Sequence, residues 1–152
     1  SHYQELNLEV EQLTQEINER HGTAEWLPII IWREPIERAD LMALYQLADV
    51  CVVSSLHDGM NLVAKEYIAS RVDESGVLVL SRFTGAAREL PDALLINPYD
   101  ADEFANKLDQ AIRMPEAQKS DRMRRMRRVV RQNNIYAWAG RFLQEMARVG
   151  GA

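Results

Sequence analysis

Short apolar runs separated by helical segments constrain the fold of this chain more than any other feature. Residues 27–31, 50–53, 77–80 and 94–96 are continuous runs of aliphatic side chains, many of them β-branched. Strands that are apolar at nearly every position are typical of parallel sheets covered by helices on both faces. The alternation of these runs with helical patterns therefore predicts an α/β fold with four buried parallel strands.

The segments between the runs carry apolar residues at helical spacing. Asp100 and Glu103 form a capping-box pattern, and the apolar face of the helix that follows consists of Phe104, Leu108 and Ile112. Helices are predicted up to Gly22, over 37–47, 61–70 and 84–90, after Asp100, and over 115–133 and 135–149.

Four strands are few for a doubly wound domain. We therefore expect residues 1–152 to be a single domain, the later half of a Rossmann-like three-layer αβα unit. Residues 101–152 are expected to form its C-terminal helices.

Composition and charge exclude several classes of protein. Hydrophobic residues make up 47% of the chain and charged residues 27%, and the net charge of −5 favours neither nucleic acid nor an anionic membrane. Cys51 is the lone cysteine, which fits a reducing cytoplasm and no disulfide framework. The three scattered histidines have no metal-ligand spacing. We expect a cytoplasmic protein without metal or cofactor.

Six arginines crowd the predicted helix 115–133. Met123, Met126 and Val130 form an apolar stripe between them at helical spacing. Since no aromatic residue lies among the arginines, we interpret them as a solvated helix face and not as a nucleic-acid site. The arginines are Arg122, Arg124, Arg125, Arg127, Arg128 and Arg131.

The loop after residues 50–53 carries the strongest functional signal, because ligands of parallel α/β sheets bind beyond the carboxyl ends of the strands. Gly59 lets the backbone turn sharply and approach a ligand. Asp58 or Asn61 can cap the next helix, whose free N-terminal amides and dipole attract phosphate. The amides expected to point outward without helical partners are those of Met60, Asn61, Leu62 and Val63.

Two carboxylates shape the choice of ligand. Asp58 repels a bare phosphate but suits an anion that carries hydroxyl groups, such as a sugar phosphate. Glu66 lies about one and a half turns into the helix, where it can accept two hydrogen bonds from a vicinal diol such as ribose. From the chemistry alone, the alternative that Asp58 only caps the helix and Glu66 only faces solvent stays open.

The loop sequence resembles that of a known family. Residues 58–66, DGMNLVAKE, are similar residue for residue to the hallmark segment of the trehalose-6-phosphate synthase family. The resemblance continues through 77–81, 83–90 and 93–100, and Trp138 matches a tryptophan usual in the final helix. It implies a retaining GT-B glycosyltransferase, of which this chain is the second half of the C-terminal, donor-binding domain with its C-terminal helices.

The resemblance also implies a role for each residue of the site. The donor glucose lies against Asp58, Gly59, Met60 and Asn61, and the backbone of Leu62 and Val63 holds the diphosphate. Glu66 binds the ribose, and the nucleobase lies near Ile36. No side chain acts as a nucleophile, because the leaving diphosphate accepts the proton of the incoming hydroxyl, so catalysis rests on positioning and phosphate stabilisation.

The activity that follows is transfer of glucose from UDP-glucose or ADP-glucose to glucose 6-phosphate. Two alternatives stay open: a glucosylglycerol-phosphate synthase, using ADP-glucose and glycerol 3-phosphate, and a non-catalytic module that senses nucleotide sugars. The acceptor-binding N-terminal domain and the cations that clamp the donor phosphates lie outside this chain, so we expect the chain alone to be inactive. His57 replaces the family's usual arginine. Homo-oligomerisation of the full-length enzyme stays open.

Overall fold

The structure, a computed structural model, describes residues 2–133 and the side chains from residue 4 onward. The predicted last helix, 135–149, and Trp138 lie outside these residues. The described chain divides into two compact units, Ser1–Ile36 and Glu37–Ala152. Helix α1 (His2–His21) belongs to the first unit. The second contains α2 (Arg38–Leu47), β1 (Val50–Val53), α3 (Leu62–Ser70), β2 (Val77–Ser81), α4 (Ala86–Glu89), β3 (Leu94–Ile96), α5 (Ala101–Ile112) and α6 (Glu116–Gln132).

The sheet of the second unit is parallel, as predicted, with the strand order β1-β2-β3. The central strand β2 is buried at every position. Leu78 and Leu80 pack into a core with α2, α3 and α6, whereas Val77 and Val79 pack on the opposite face with α5. Helices therefore cover both faces, which confirms the Rossmann-like αβα arrangement.

Strand β1 is less buried than its sequence predicts. Its Val53 is buried, but Val52 is 39% exposed. Among the described residues, β1 pairs only with β2, so its other edge has no strand beside it. The prediction of a fully buried strand is wrong for Val52 because a strand at the edge of a sheet lacks one of its two neighbours.

The predicted strand 27–31 is not a strand in the described chain. The carbonyl and amide of Ile29 are instead bonded by the side-chain amide of Asn18 in α1, each at 2.9 Å. Pro28 has no amide hydrogen to donate to a ladder. Leu27 and Ile30 are exposed, so this part of the sequence prediction is wrong. The described sheet has three strands and not four.

The start of α5 follows the capping-box prediction only in part. Asp100 accepts a hydrogen bond from the Glu103 amide at 2.9 Å, as expected. The Glu103 carboxylate, however, accepts from the Asn97 amide instead of returning to Asp100. Ile112 is exposed, and the neighbouring Ala111 is buried in its place.

No helix among the described residues is long and apolar enough to cross a bilayer.

Helix α6 buries Met123 and Met126, as its apolar stripe predicts. The interpretation of its arginines as solvated is wrong for Arg127, which is 8% exposed. The Arg127 guanidinium donates to the carbonyls of Ile68 and Ala69 at 2.9 and 3.0 Å, and so caps the C-terminal end of α3. A cation is favourable there because the last carbonyls of a helix lack intrahelical partners.

We expect Arg127→Met to lower the free energy of unfolding by about 1–3 kcal/mol, because it leaves the buried carbonyl of Ile68 and the partly buried carbonyl of Ala69 without this partner. Arg128→Met is the matched control. Arg128 is exposed on the same helix, so its replacement should change the free energy of unfolding by less than about 0.5 kcal/mol. Urea unfolding of the two variants checks the prediction, and equal stabilities would contradict the capping role.

Candidate functional site

The Asp58 carboxylate organises the loop between β1 and α3. It accepts hydrogen bonds from the Met60 amide at 3.0 Å and from the amide and side chain of Asn61, each at 2.9 Å. The Met60 and Asn61 amides have no helical partner, as expected, but both are bonded to the Asp58 side chain and are therefore not free donors. The physical reason is a local one, since an aspartate side chain readily bonds amides two or three residues further along the chain.

Asn61 turns the chain into α3. Its φ of 59° lies in the left-handed region, which asparagine tolerates better than most residues. Its side chain accepts a hydrogen bond from the Ala64 amide at 2.8 Å and so caps the helix. The amides of Leu62 and Val63 have no hydrogen-bond partner within the described part of the chain. This helix N-terminus therefore presents two free donors and the positive end of the helix dipole.

Gly59 presents an open surface. A Cβ atom built at this position would meet no protein atom within 4 Å. The chain bends at Gly59, as expected, although the positive φ of this loop belongs to Asn61 and not to Gly59. What glycine provides here is bare backbone facing open space, directly before the capped helix.

The loop between β2 and α4 packs against the Asp58–Gly59 segment. The Gly85 amide donates to the Asp58 carbonyl at 2.8 Å, and Thr84 forms a parallel bridge with Asp58. A Cβ atom at Gly85 would lie 1.9 Å from the Gly59 carbonyl oxygen. Gly85 therefore packs closely against the Asp58–Gly59 segment, with no room for a side chain.

Glu66 is exposed on α3, and it has a neighbour that sequence reasoning missed. Burial raises the pKa of Tyr45, and the nearby charge of Glu66 adds to the rise. Tyr45 itself is held in the core, where its ring packs edge-on against Tyr67 with centroids 6.1 Å apart. The one signal in the sequence was a tyrosine on the apolar face of α2, at a position where an aliphatic residue would have packed equally well.

The hydrogen bonds to Asp58 stabilise its charged form. The Met60 amide, followed by the Asn61 side chain and amide, holds the pKa of this carboxyl below its usual value. Three bonds leave one acceptor position, since an ionised carboxylate has about four. Asp58 can therefore organise its own loop and still accept a hydrogen bond from a ligand.

The remaining predicted residue, Ile36, belongs to the first unit of the chain, whereas Asp58 and Glu66 belong to the second. Lys65, on α3 beside Glu66, forms an ion pair with Glu89 of α4 at 3.0 Å.

In residues 2–133, no group of three or more histidine, cysteine, aspartate or glutamate side chains is arranged to hold a metal ion.

The fold and the site together define a Rossmann-like parallel α/β domain, in which a helix N-terminus presents free amides at the carboxyl edge of the sheet. The chain matches the sequence profile of Glycosyltransferase family 20 over residues 1–148. It belongs to that family.

Individual relatives agree with this assignment. A trehalose-6-phosphate synthase from Enterobacter sp. (strain 638) is 44% identical, and the match covers 96% of this chain and 31% of the relative. A glucosylglycerol-phosphate synthase from Synechocystis sp. is 38% identical, with 94% and 29% covered. A solved structure described as trehalose-6-phosphate from E. coli bound with UDP-2-fluoro glucose has a TM-score of 0.88 at 40% identity, with 95% and 32% covered. The chain spans about a third of the length of each.

The Asp58 hydrogen bonds generate a prediction about pH. Because the folded pKa is depressed, these bonds stabilise the loop above the unfolded pKa of about 3.9, and the stabilisation is lost as the pH falls through the folded value. The NMR shifts of the Met60 and Asn61 amide protons should therefore titrate together with an apparent pKa below about 3.9. Asp58→Asn should abolish this titration, and a wild-type midpoint at or above the ordinary value would contradict the geometry.

Proposed function

We propose that this chain is the donor-binding part of a retaining glucosyltransferase, an α,α-trehalose-phosphate synthase. It would transfer glucose from UDP-glucose or ADP-glucose to glucose 6-phosphate. One observation carries the proposal: the free amides of Leu62 and Val63 start a capped helix directly after Gly59, whose outer side is open. The trehalose-6-phosphate synthases among the relatives, and the neighbour bound with UDP-2-fluoro glucose, support it.

In this proposal the diphosphate binds at the amides of Leu62 and Val63. The open backbone at Gly59 then lets the glucose come close, and the remaining acceptor position of Asp58 takes a sugar hydroxyl. Met60 and Asn61 line the sugar mainly by their shape, since their amides are bonded to Asp58.

The ribose is proposed to bind Glu66, and the base to lie near Ile36. Tyr45 of α2 lies near enough for the charge of Glu66 to raise the pKa of its hydroxyl. Glu66 itself is exposed, and an exposed carboxylate is suited to accept hydrogen bonds from both hydroxyls of a ribose ring.

The contribution of this chain to the reaction is electrostatic and positional. As the bond between glucose and diphosphate breaks, negative charge grows on the departing phosphate. The amides of Leu62 and Val63 and the dipole of α3 face that charge and lower its energy. Holding the glucose against Asp58 and Gly59 keeps its reacting carbon oriented, so that the incoming hydroxyl can enter on the face that the diphosphate leaves.

A second candidate function is glucosylglycerol-phosphate synthesis, which the relative of that name favours. The acceptor decides between the two functions, and the acceptor site is proposed to lie outside this chain. Product analysis of the full-length protein separates them with glucose 6-phosphate and glycerol 3-phosphate offered together. A non-catalytic sensor would bind UDP-glucose or ADP-glucose and yield neither product.

The proposed ribose contact is tested at Glu66. Glu66→Ala should weaken UDP binding about tenfold to a few hundredfold, because each charge-assisted hydrogen bond contributes about 1.5–3 kcal/mol. Glu66→Gln keeps one acceptor oxygen and should lose less. Isothermal titration calorimetry of the full-length protein with UDP measures both variants.

Glu116→Ala is the matched control, since Glu116 is an exposed glutamate in the first turn of α6. It should bind UDP like the wild type. Wild-type affinity in Glu66→Ala would show that Glu66 is a solvent-facing helix residue, and the ribose would have to bind elsewhere.

Gly59 generates a prediction in which folding and binding separate. Because a Cβ atom there contacts no protein atom, Gly59→Ala should leave the Tm unchanged within about 2 °C. The same methyl group should occupy the space of the donor sugar, so UDP-glucose binding should fall at least about tenfold while UDP binding persists. Calorimetry with the two ligands checks this, and unchanged UDP-glucose affinity would mean that no sugar approaches Gly59.

A further inference from the structure

We propose that Gly85 is a positioning residue for the donor sugar. It sets the position of the Asp58–Gly59 backbone and does not itself contact the ligand. This inference rests on the proposed function, in which that backbone binds the sugar and α3 binds the nucleotide. Gly85 is half-buried, and its effect on the ligand passes through the Asp58–Gly59 backbone that it contacts.

The contact between the two loops is backbone against backbone. The Gly85 amide donates to the Asp58 carbonyl at 2.8 Å, and the adjacent Thr84 bridges to Asp58. A Cβ atom at Gly85 would lie 1.9 Å from the Gly59 oxygen and 2.8 Å from its carbonyl carbon. Since Cβ contacts below 3.0 Å essentially never occur, any side chain at this position forces the loops apart by about 1 Å.

Burial determines which of the two loops gives way. Thr84, Ala86 and Ala87 are 3%, 0% and 9% exposed, so the segment around Gly85 is fixed in the core. Gly59 is exposed, and its outer side meets no protein atom within 4 Å. The strain of an added methyl group therefore lifts the Asp58–Gly59 backbone toward the space proposed for the sugar.

The amides proposed to bind the nucleotide have further contacts, besides the bonds between Asn61 and the Asp58 side chain. Asn61 caps α3 through the Ala64 amide, and Ala64, Tyr67 and Ile68 are fully buried. These contacts hold the N-terminus of α3 more firmly than the exposed Gly59 backbone is held. A substitution at Gly85 should weaken recognition of the glucose far more than recognition of UDP.

The test compares two ligands in the full-length protein. We expect Gly85→Ala to bind UDP within about threefold of the wild type and to bind UDP-glucose about tenfold more weakly, the loss of one or two hydrogen bonds. A merely structural defect would weaken both ligands together. Arg88→Ala is the control, because Arg88 is exposed on the same short helix and should leave the ratio of the two dissociation constants unchanged.

Thr84→Ala keeps the test decisive if Gly85→Ala does not fold. It removes the hydrogen bond from the Thr84 hydroxyl to the Ser81 carbonyl, and so loosens the supporting turn without adding bulk. The same selective loss, smaller in size, is expected. An unchanged ratio of UDP-glucose to UDP affinity, or an equal loss of both, in the folded variant would overturn the role of Gly85. Failure of the wild type to bind UDP-glucose would instead overturn the proposed function.

Discussion

The Asp58 carboxylate is the interaction on which the proposed site depends. By bonding the Met60 and Asn61 amides, it closes a short turn in the loop that follows β1. Asn61, in the left-handed conformation, then starts α3. The Met60 and Asn61 amides are therefore already hydrogen-bonded, whereas the next two amides, those of Leu62 and Val63, remain free. The same side chain thus sets both the shape of the loop and the place at which an anion can be bound.

The rest of the second unit holds this loop and helix in place. Gly85 supports the loop from below, and Arg127 caps the far end of α3. Arg71, directly after α3, is 3% exposed, and its guanidinium donates to the carbonyls of Tyr45 and Ala48 at the end of α2, each at 3.1 Å. Buried arginines are costly unless they are fully hydrogen-bonded, so both have a structural reason to be where they are.

Strand and helix periodicity predicted most of this fold, because parallel strands buried on both faces have a distinctive composition. The strand prediction was wrong for residues 27–31. An apolar run indicates that a segment avoids water, but it does not indicate which part of the chain that segment bonds to. In the described chain that partner is Asn18, a side chain no strand pattern would indicate. The exposure of Val52 has the same origin, because the number of neighbouring strands is not encoded in the strand itself.

The site was predictable in its location but not in its internal hydrogen bonds. Sequence patterns place a carboxylate, a glycine and a helix cap after β1, and they cannot say which amides the carboxylate takes. The burial of Arg127 was also missed, because helical periodicity assigns every charged residue to the solvent face. Tyr45 lay on the predicted apolar face, where its hydroxyl gave no sign that the charge of Glu66 would act on it.

A crystal structure of the full-length protein with UDP-glucose or a non-transferable analogue tests the central claim most directly. The account predicts diphosphate oxygens within about 3 Å of the Leu62 and Val63 amide nitrogens, with the glucose over Gly59. It also predicts that the three hydrogen bonds to Asp58 persist in the complex. A diphosphate bound away from the start of α3, with both amides still facing solvent, would contradict the account.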